Sequence, residues 1–247
     1  NFQEYFKLKN KSYRCRLAWH YNNVIVMQIE CKHQRKKSEN FVDKIEDNYP
    51  WCYVIIDNRK DIQHITVQKN ASAFSNTDTV AKIIEYTMNA WLLKFRLCIT
   101  IKPKYSSKVF WNLLEKYKVW GIKRIVFKFA YPNVDWATQR IRELKDFAHQ
   151  SNGAVRLGVE AADNEFLDFK PTKKNKDMVN VCSGTGEDIE IKPKGLKTIH
   201  TSKEMNPIEV VMKDSTLKKI DTDDLFDGKY EQTTEFLNKC KPYYDVQ

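Results

Sequence analysis

Apolar and polar positions alternate in two ways along this chain, and the two patterns place most of its elements. Tyr13-Arg-Cys-Arg-Leu-Ala-Trp and the run from Val24 to Cys31 are rich in strand formers and flank Tyr21-Asn-Asn, a hairpin turn. Lys32-His-Gln-Arg-Lys-Lys reads as a charged loop, and Ser38 to Asp47 as a short helix ending before Tyr49-Pro50. Trp51-Cys-Tyr-Val-Ile-Ile is continuously apolar, which predicts a central strand buried on both faces. Ile62 to Gln68 alternates as a half-buried strand does. Ser75-Asn-Thr-Asp78 has capping-box form, and Val80, Ile83, Ile84, Met88 and Trp91 follow at helical spacing, all expected in the core.

The stretch Leu97 to Phe129 reads strand, helix, strand. Leu97 to Ile101 is the first strand, and Ser106 or Ser107 can cap a helix to Lys118. Val109, Phe110, Leu113, Leu114 and Tyr117 form that helix's apolar face, and Ile122 to Phe129 is the second strand. Asn133 can cap a helix to about Gln150, and Ala154 to Glu160 is another strand. Beyond Asp163, Phe169 to Lys176 reads as a basic linker. Val179–Cys182 and Ile189–Lys192 read as two strands across Ser183-Gly-Thr-Gly-Glu. Pro207 to Met212 adds a strand, and Tyr230 to Lys241 a helix. The expected fold is α+β: a mixed sheet with packed helices and at least one parallel crossover in residues 1–165, and a smaller β-rich lobe, closed by a helix, in 166–247.

Composition then narrows the partners. The 247 residues carry 42 Lys plus Arg against 32 Asp plus Glu, a formal charge of +10, which favours polyanions and nucleic acid first among them. The six cysteines have no C-x-x-C spacing, so they read as reduced thiols of a cytoplasmic protein and not as a disulfide framework or zinc site. No apolar run reaches membrane-spanning length. Neither G-x-G-x-x-G nor the P-loop pattern occurs, which argues against a nucleotide cofactor.

Lysines crowd the exit of strand 97–101 and the later linker. Lys102, Lys104, Lys108, Lys123, Lys170, Lys173, Lys174, Lys176, Lys194 and Lys197 are the expected nucleic-acid contacts, holding duplex DNA by its backbone with little base readout. Tyr105, Trp111 and Trp120 interleave with lysines and are expected to pack in the core. This reading needs no catalytic residue, metal or cofactor. An alternative does: Glu30-Cys-Lys32 and Glu190-Ile-Lys192 each put an acid and a lysine on one strand face. That is half of a Mg²⁺-dependent nuclease signature, in which the acid binds metal and the lysine steadies phosphate or water. The upstream acid is missing before Glu30, and Asp188 stands too close to Glu190 to supply it. A further alternative is an interaction module for an acidic protein partner. Asp57-Asn-Arg-Lys-Asp61 reads as a polar turn.

Tyr53-Val-Ile-Ile-Asp, the strand 62–68, the helix from Asp78 to Trp91 and Ile99-Thr-Ile-Lys-Pro-Lys together resemble bacterial phage-defence proteins of the lambda Rex A and Kiwa B types. Gly184-Thr-Gly186 followed by Ile189-Glu-Ile-Lys-Pro-Lys-Gly is similar to C-terminal segments of such proteins. The resemblance implies a cytoplasmic, homo-oligomeric DNA binder with weak sequence preference. It would sense or sequester invader DNA in antiviral defence, with a membrane protein of the same system as partner.

Overall fold

The computed structural model describes residues 5–21, 23–59, 63–129, 155–204 and 208–209. The chain is an α+β protein, and it divides into two compact units between Ile101 and Lys102.

The first unit is built on strands β1 (Tyr5–Leu8), β2 (Lys11–Tyr21), β3 (Val24–Glu30), β6 (Trp51–Asp57) and β7 (His64–Val67), adjacent in that order. The β2–β3 hairpin turns at Asn23, whose φ is 62°. The apolar run of β6 lies between β3 and β7, with Cys52, Tyr53, Val54 and Ile55 all buried. Helix α1 (Thr77–Leu92) starts at Asn76, whose side chain accepts from the Thr79 N–H at 2.9 Å, so Asn76 and not the Ser75/Asp78 pair is the cap. Its buried stripe is Val80, Ile83, Ile84 and Thr87, and the Lys7 N–H of β1 donates to Thr87 Oγ1 at 2.7 Å. Met88 and Trp91, expected inside, are 39% and 55% exposed. Met88 is rotated about 100° from Thr87, and Trp91 lies a turn beyond that last anchor.

Two further expectations fail in this unit. The charged loop at 32–37 and the helix at 38–47 are instead a two-stranded ribbon, β4 (His33–Glu39) with β5 (Val42–Asn48). Asn40 and Phe41 at its tip both have positive φ, 50° and 65°, which suits a two-residue hairpin loop. Polar contacts cross the ribbon: Lys36 meets Asp43 at 2.5 Å, and the Ser38 hydroxyl donates to Asp43 Oδ1 at 2.6 Å. Apolar periodicity carries no trace of that. The strand expected at 97–101 is not formed either, because side chains of α1 satisfy its backbone. The Ile99 N–H donates to Asn89 Oδ1 at 2.7 Å and the Ile101 N–H to Glu85 Oε2 at 2.8 Å. Without it the parallel crossover disappears, and among the described residues every strand pairing is antiparallel.

The second unit holds helix α2 (Ser107–Lys118), β8 (Ile122–Phe129), β9 (Val155–Glu160), helix α3 (Lys173–Gly184), β10 (Ile189–Pro193), β11 (Ile199–His200) and the single turn α4 (Thr201–Glu204). Its sheet runs β11-β10-β8-β9. Ser106 caps α2, as its position suggests. The basic linker and the strand at 179–182 are in fact α3, capped by Thr172 Oγ1 on the Asn175 N–H at 3.3 Å. Met178, Val179, Val181 and Cys182 form its buried face, joining Phe110, Leu113 and Leu114 of α2 over Ile125, Phe127, Ile189 and Ile191 of the sheet. Packing on that layer makes a helix of a sequence whose local preference is extended. The helix expected at 133–150 and the C-terminal helix at 230–241 lie outside the described residues. So does the strand at 207–212, except Ile208 and Glu209, which have no regular structure.

Cysteine placement is divided: Cys31 is half-buried and Cys98 exposed. Cys15, Cys52 and Cys182 are buried, and burial pushes the Cys15 and Cys52 thiols up to about 12. Among the described residues no helix is long and apolar enough to cross a membrane.

Candidate metal centre on the open face of the second sheet

Away from the bulge at Lys192/Pro193, burial alternates along the two central strands of the second sheet. Ile189, Ile191 and Pro193 of β10 are buried, as are Ile125, Phe127 and Phe129 of β8, and these face the helices. The residues between them point to the other face: Glu190 and Lys192 on β10, Arg124, Val126 and Lys128 on β8, Arg156, Gly158 and Glu160 on β9. On β9 these three are exposed.

A cluster of ligand-type side chains forms on that face. Asp188 immediately precedes β10, Glu190 is two residues on, and His200 stands opposite Glu190 in the β10–β11 register. Their candidate ligand atoms lie within 4.8 Å of one another. His200 Nδ1 is 2.6 Å from Asp188 Oδ2, and the Ser202 N–H donates to Asp188 Oδ1 at 3.0 Å. The Thr201 hydroxyl accepts the Ile189 N–H at 2.9 Å and donates to Asp188 Oδ1 at 3.3 Å, which ties the α4 turn to the start of β10. Lys128 reaches across from β8, with Nζ 2.6 Å from Glu190 Oε1 and 3.6 Å from Asp188 Oδ2. Burial alone raises the Asp188 carboxyl, but the Ser202 N–H and His200 outweigh it and hold the carboxyl below the usual range. The Glu190 carboxylate bonded to Lys128 pushes that lysine up, keeping it cationic.

The spacing sets Asp188 too close to Glu190 to be the upstream acid of the nuclease signature. The two-residue strand period instead puts both carboxylates on one face. His200 and Lys128 carry no motif of their own. Asp188-x-Glu190, a turn at Gly195 (φ 72°) and a histidine in hairpin register are the available signal. Lys192, the lysine of the E-x-K, donates from Nζ to the Leu196 carbonyl at 2.7 Å. The other E-x-K is not elaborated in the same way. Lys32 pairs with Asp47 at 2.6 Å, and Glu30 belongs to no group of three ligand-type side chains among the described residues.

The ten lysines expected at a nucleic-acid face fare unevenly. Lys102 no longer follows a strand and is ion-paired with Glu187, and Lys170 pairs with Asp168 at 2.8 Å. The Lys104 carbonyl accepts from the Ile208 N–H at 2.9 Å. Lys123 and Lys194 are brought together over the Phe166 ring, at 5.0 and 5.6 Å. Lys108, Lys173, Lys174, Lys176 and Lys197 are exposed. Of the interleaved aromatics, Tyr105 is buried and Trp111 stacks on Phe169, but Trp120 is 48% exposed and not a core residue.

No family model, no curated protein and no solved structure matches the chain. The site's chemistry is therefore read from its own residues.

Proposed function

We propose that the chain is a divalent-cation-dependent phosphodiesterase acting on nucleic acid, with Asp188, Glu190 and His200 as the metal ligands. The observation that carries this is the convergence of two carboxylates and an imidazole, beside a lysine, on an open sheet face of a basic protein. Carboxylate oxygens suit Mg²⁺ or Mn²⁺, and an added imidazole suits Mn²⁺ and softer ions. A bound cation would supply polarisation of a phosphoryl oxygen. The chain's own groups do the rest. Lys128, now 2.6 Å from Glu190 Oε1, would be placed to hold a phosphate oxygen if Glu190 turned to a bound cation. The Ser202 N–H and Thr201 hydroxyl keep Asp188 turned toward the cluster.

The test is incubation of the full chain with supercoiled plasmid and Mg²⁺ or Mn²⁺. Nicking that disappears with EDTA and in Glu190→Gln supports the reading. No nicking with either ion, together with no Mn²⁺ binding by titration calorimetry, leaves an ion-pair network on a sheet surface and removes the proposal.

A second reading, binding of duplex DNA without cleavage, draws on the charge of +10 and on the exposed Lys108, Lys173, Lys174, Lys176 and Lys197. It predicts an apparent affinity that falls linearly in log–log form with salt, for all sequences alike. The defence setting, a homo-oligomer, a cytoplasmic location and a membrane-protein partner are proposals on the same footing. A phage-challenge assay comparing wild type with Glu190→Gln separates a cleaving role from a sensing one.

A further inference from the structure

A second feature of this unit is not used by the proposed chemistry. Val119 and Trp120 follow α2, and Gly121, with φ of 72°, turns the chain into β8. Phe166 packs on that turn: a Cβ at Gly121 would come within 2.3 Å of its ring, so only glycine admits the contact. The backbone locks the segment in place, with the Leu167 N–H donating to the Ile122 carbonyl at 2.8 Å and the Lys194 N–H to the Gly121 carbonyl at 2.9 Å. Yet the apolar side chains there are not core: Phe166 is 47% exposed, Trp120 48% and Val119 80%. With Lys118 and Asp168 they line an open recess. Lys123 and Lys194 stand over Phe166, and the Lys123 Nζ is steadied by the Glu165 carbonyl at 2.7 Å.

Half-exposed rings on a rigid turn, with ammonium groups around them, suit a planar group that carries negative charge. Aromatic faces stack bases of any sequence, and neighbouring lysines neutralise the backbone. Along β8 the recess residue Ile122 is followed by Arg124, the cross-strand partner of Lys192 on the open face. Val126 opposes Glu190 and is four residues from Ile122, a span of about 13 Å along the strand. A few nucleotides bridge that distance.

We propose that the Trp120–Phe166 recess stacks unpaired bases of a single-stranded nucleic acid, whose backbone runs past Arg124 and Lys192 toward the carboxylate cluster. A paired base inside a duplex keeps its faces against its neighbours and cannot lie on these rings. The inference takes its ligand class from the phosphodiesterase reading, but the binding it describes needs no cleavage.

The experiment is fluorescence anisotropy with the full chain in EDTA, using fluorescein-labelled dT20 and a labelled 20-base-pair duplex. The expected result is tighter binding of dT20 than of the duplex. Trp120→Ala and Phe166→Leu should each weaken dT20 by about 5- to 100-fold and leave the duplex unchanged. Lys192→Gln should lower the dT20 salt slope by about 1. Phe166→Leu retains bulk over Gly121, and thermal melts matching wild type exclude misfolding as the cause. Equal affinity for the two probes, or wild-type dT20 binding by both variants, overturns the proposal. Displacement of dT20 by poly-glutamate as readily as by unlabelled dT20 also overturns it, in favour of an acidic protein partner. Binding of dT20 with no nicking in Mg²⁺ or Mn²⁺ and no Mn²⁺ binding leaves the recess standing and removes the phosphodiesterase; nicking without a single-strand preference does the reverse.

Discussion

The two sheets solve the same packing problem differently. In the first unit, consecutive residues of the central strands are buried: Val26, Met27, Gln28 and Ile29 on β3, and Cys52 to Ile55 on β6. In the second, burial skips every other residue along β10 and from Arg124 to Phe129 of β8, and the skipped positions other than Val126 carry charge. Each sheet also handles acids in its own way. Asp57, at the end of β6, is 1% exposed and held by both Arg59 Nε (2.9 Å) and Nη2 (2.6 Å), a closed pair with nothing left to offer. Asp188 and Glu190 share a lysine and a histidine on a face that solvent reaches. Strands buried on both sides are scaffold; strands with one open, charged side have room for chemistry.

The largest expected effect separates the two E-x-K pairs. Glu190→Gln should lower Mg²⁺-dependent plasmid nicking on the order of 100-fold, and Glu30→Gln should leave it unchanged. Equal effects would erase the functional side of the contrast. Next comes its packing side, read by denaturant melts. Phe127→Ala should cost about 3–5 kcal/mol, and its neighbour Val126→Ala less than about 1 kcal/mol. In the first sheet, neighbouring Val54→Ala and Ile55→Ala should both be costly, the latter by about 2–5 kcal/mol. Arg59→Met, which strands the buried Asp57 carboxylate, should cost about 3 kcal/mol by the same measurement. The smallest effect is in acid. The Asp188 pKa is lowered on folding, so its contribution is present above the ordinary carboxylate value and lost as pH falls through the folded one. Thermal stability should therefore drop below about pH 4, and Asp188→Asn should flatten that limb. An unchanged acid limb in the variant would mean that Asp188 is not held as the geometry shows.

Legibility followed the kind of force involved. The β2–β3 hairpin, β6, α2 with its Ser106 cap, β8 and β9 come from apolar periodicity and turn residues, and they are where the pattern puts them. The ribbon at 33–48 escaped because its strands bury no apolar face, so no apolar spacing marks them. Residues 97–101 failed because a β-favourable sequence forms a strand only if a neighbour takes its backbone bonds, and Asn89 and Glu85 took them first. Segment 179–182 reads as strand until α2 and β8 give its apolar residues a helix-facing layer.

The same division holds at the site. The sequence alone determined the α+β class, the net positive charge and the placement of Glu190 and Lys192 on one strand face, because these depend on composition and on a local period of two. Only the tertiary structure decided that Asp188, His200 and Lys128 meet Glu190, and that Trp120 and Phe166 stand half exposed beside Lys123 and Lys194. Those neighbours come from separate elements, and hairpin register and sheet order, which no local pattern encodes, bring them within reach.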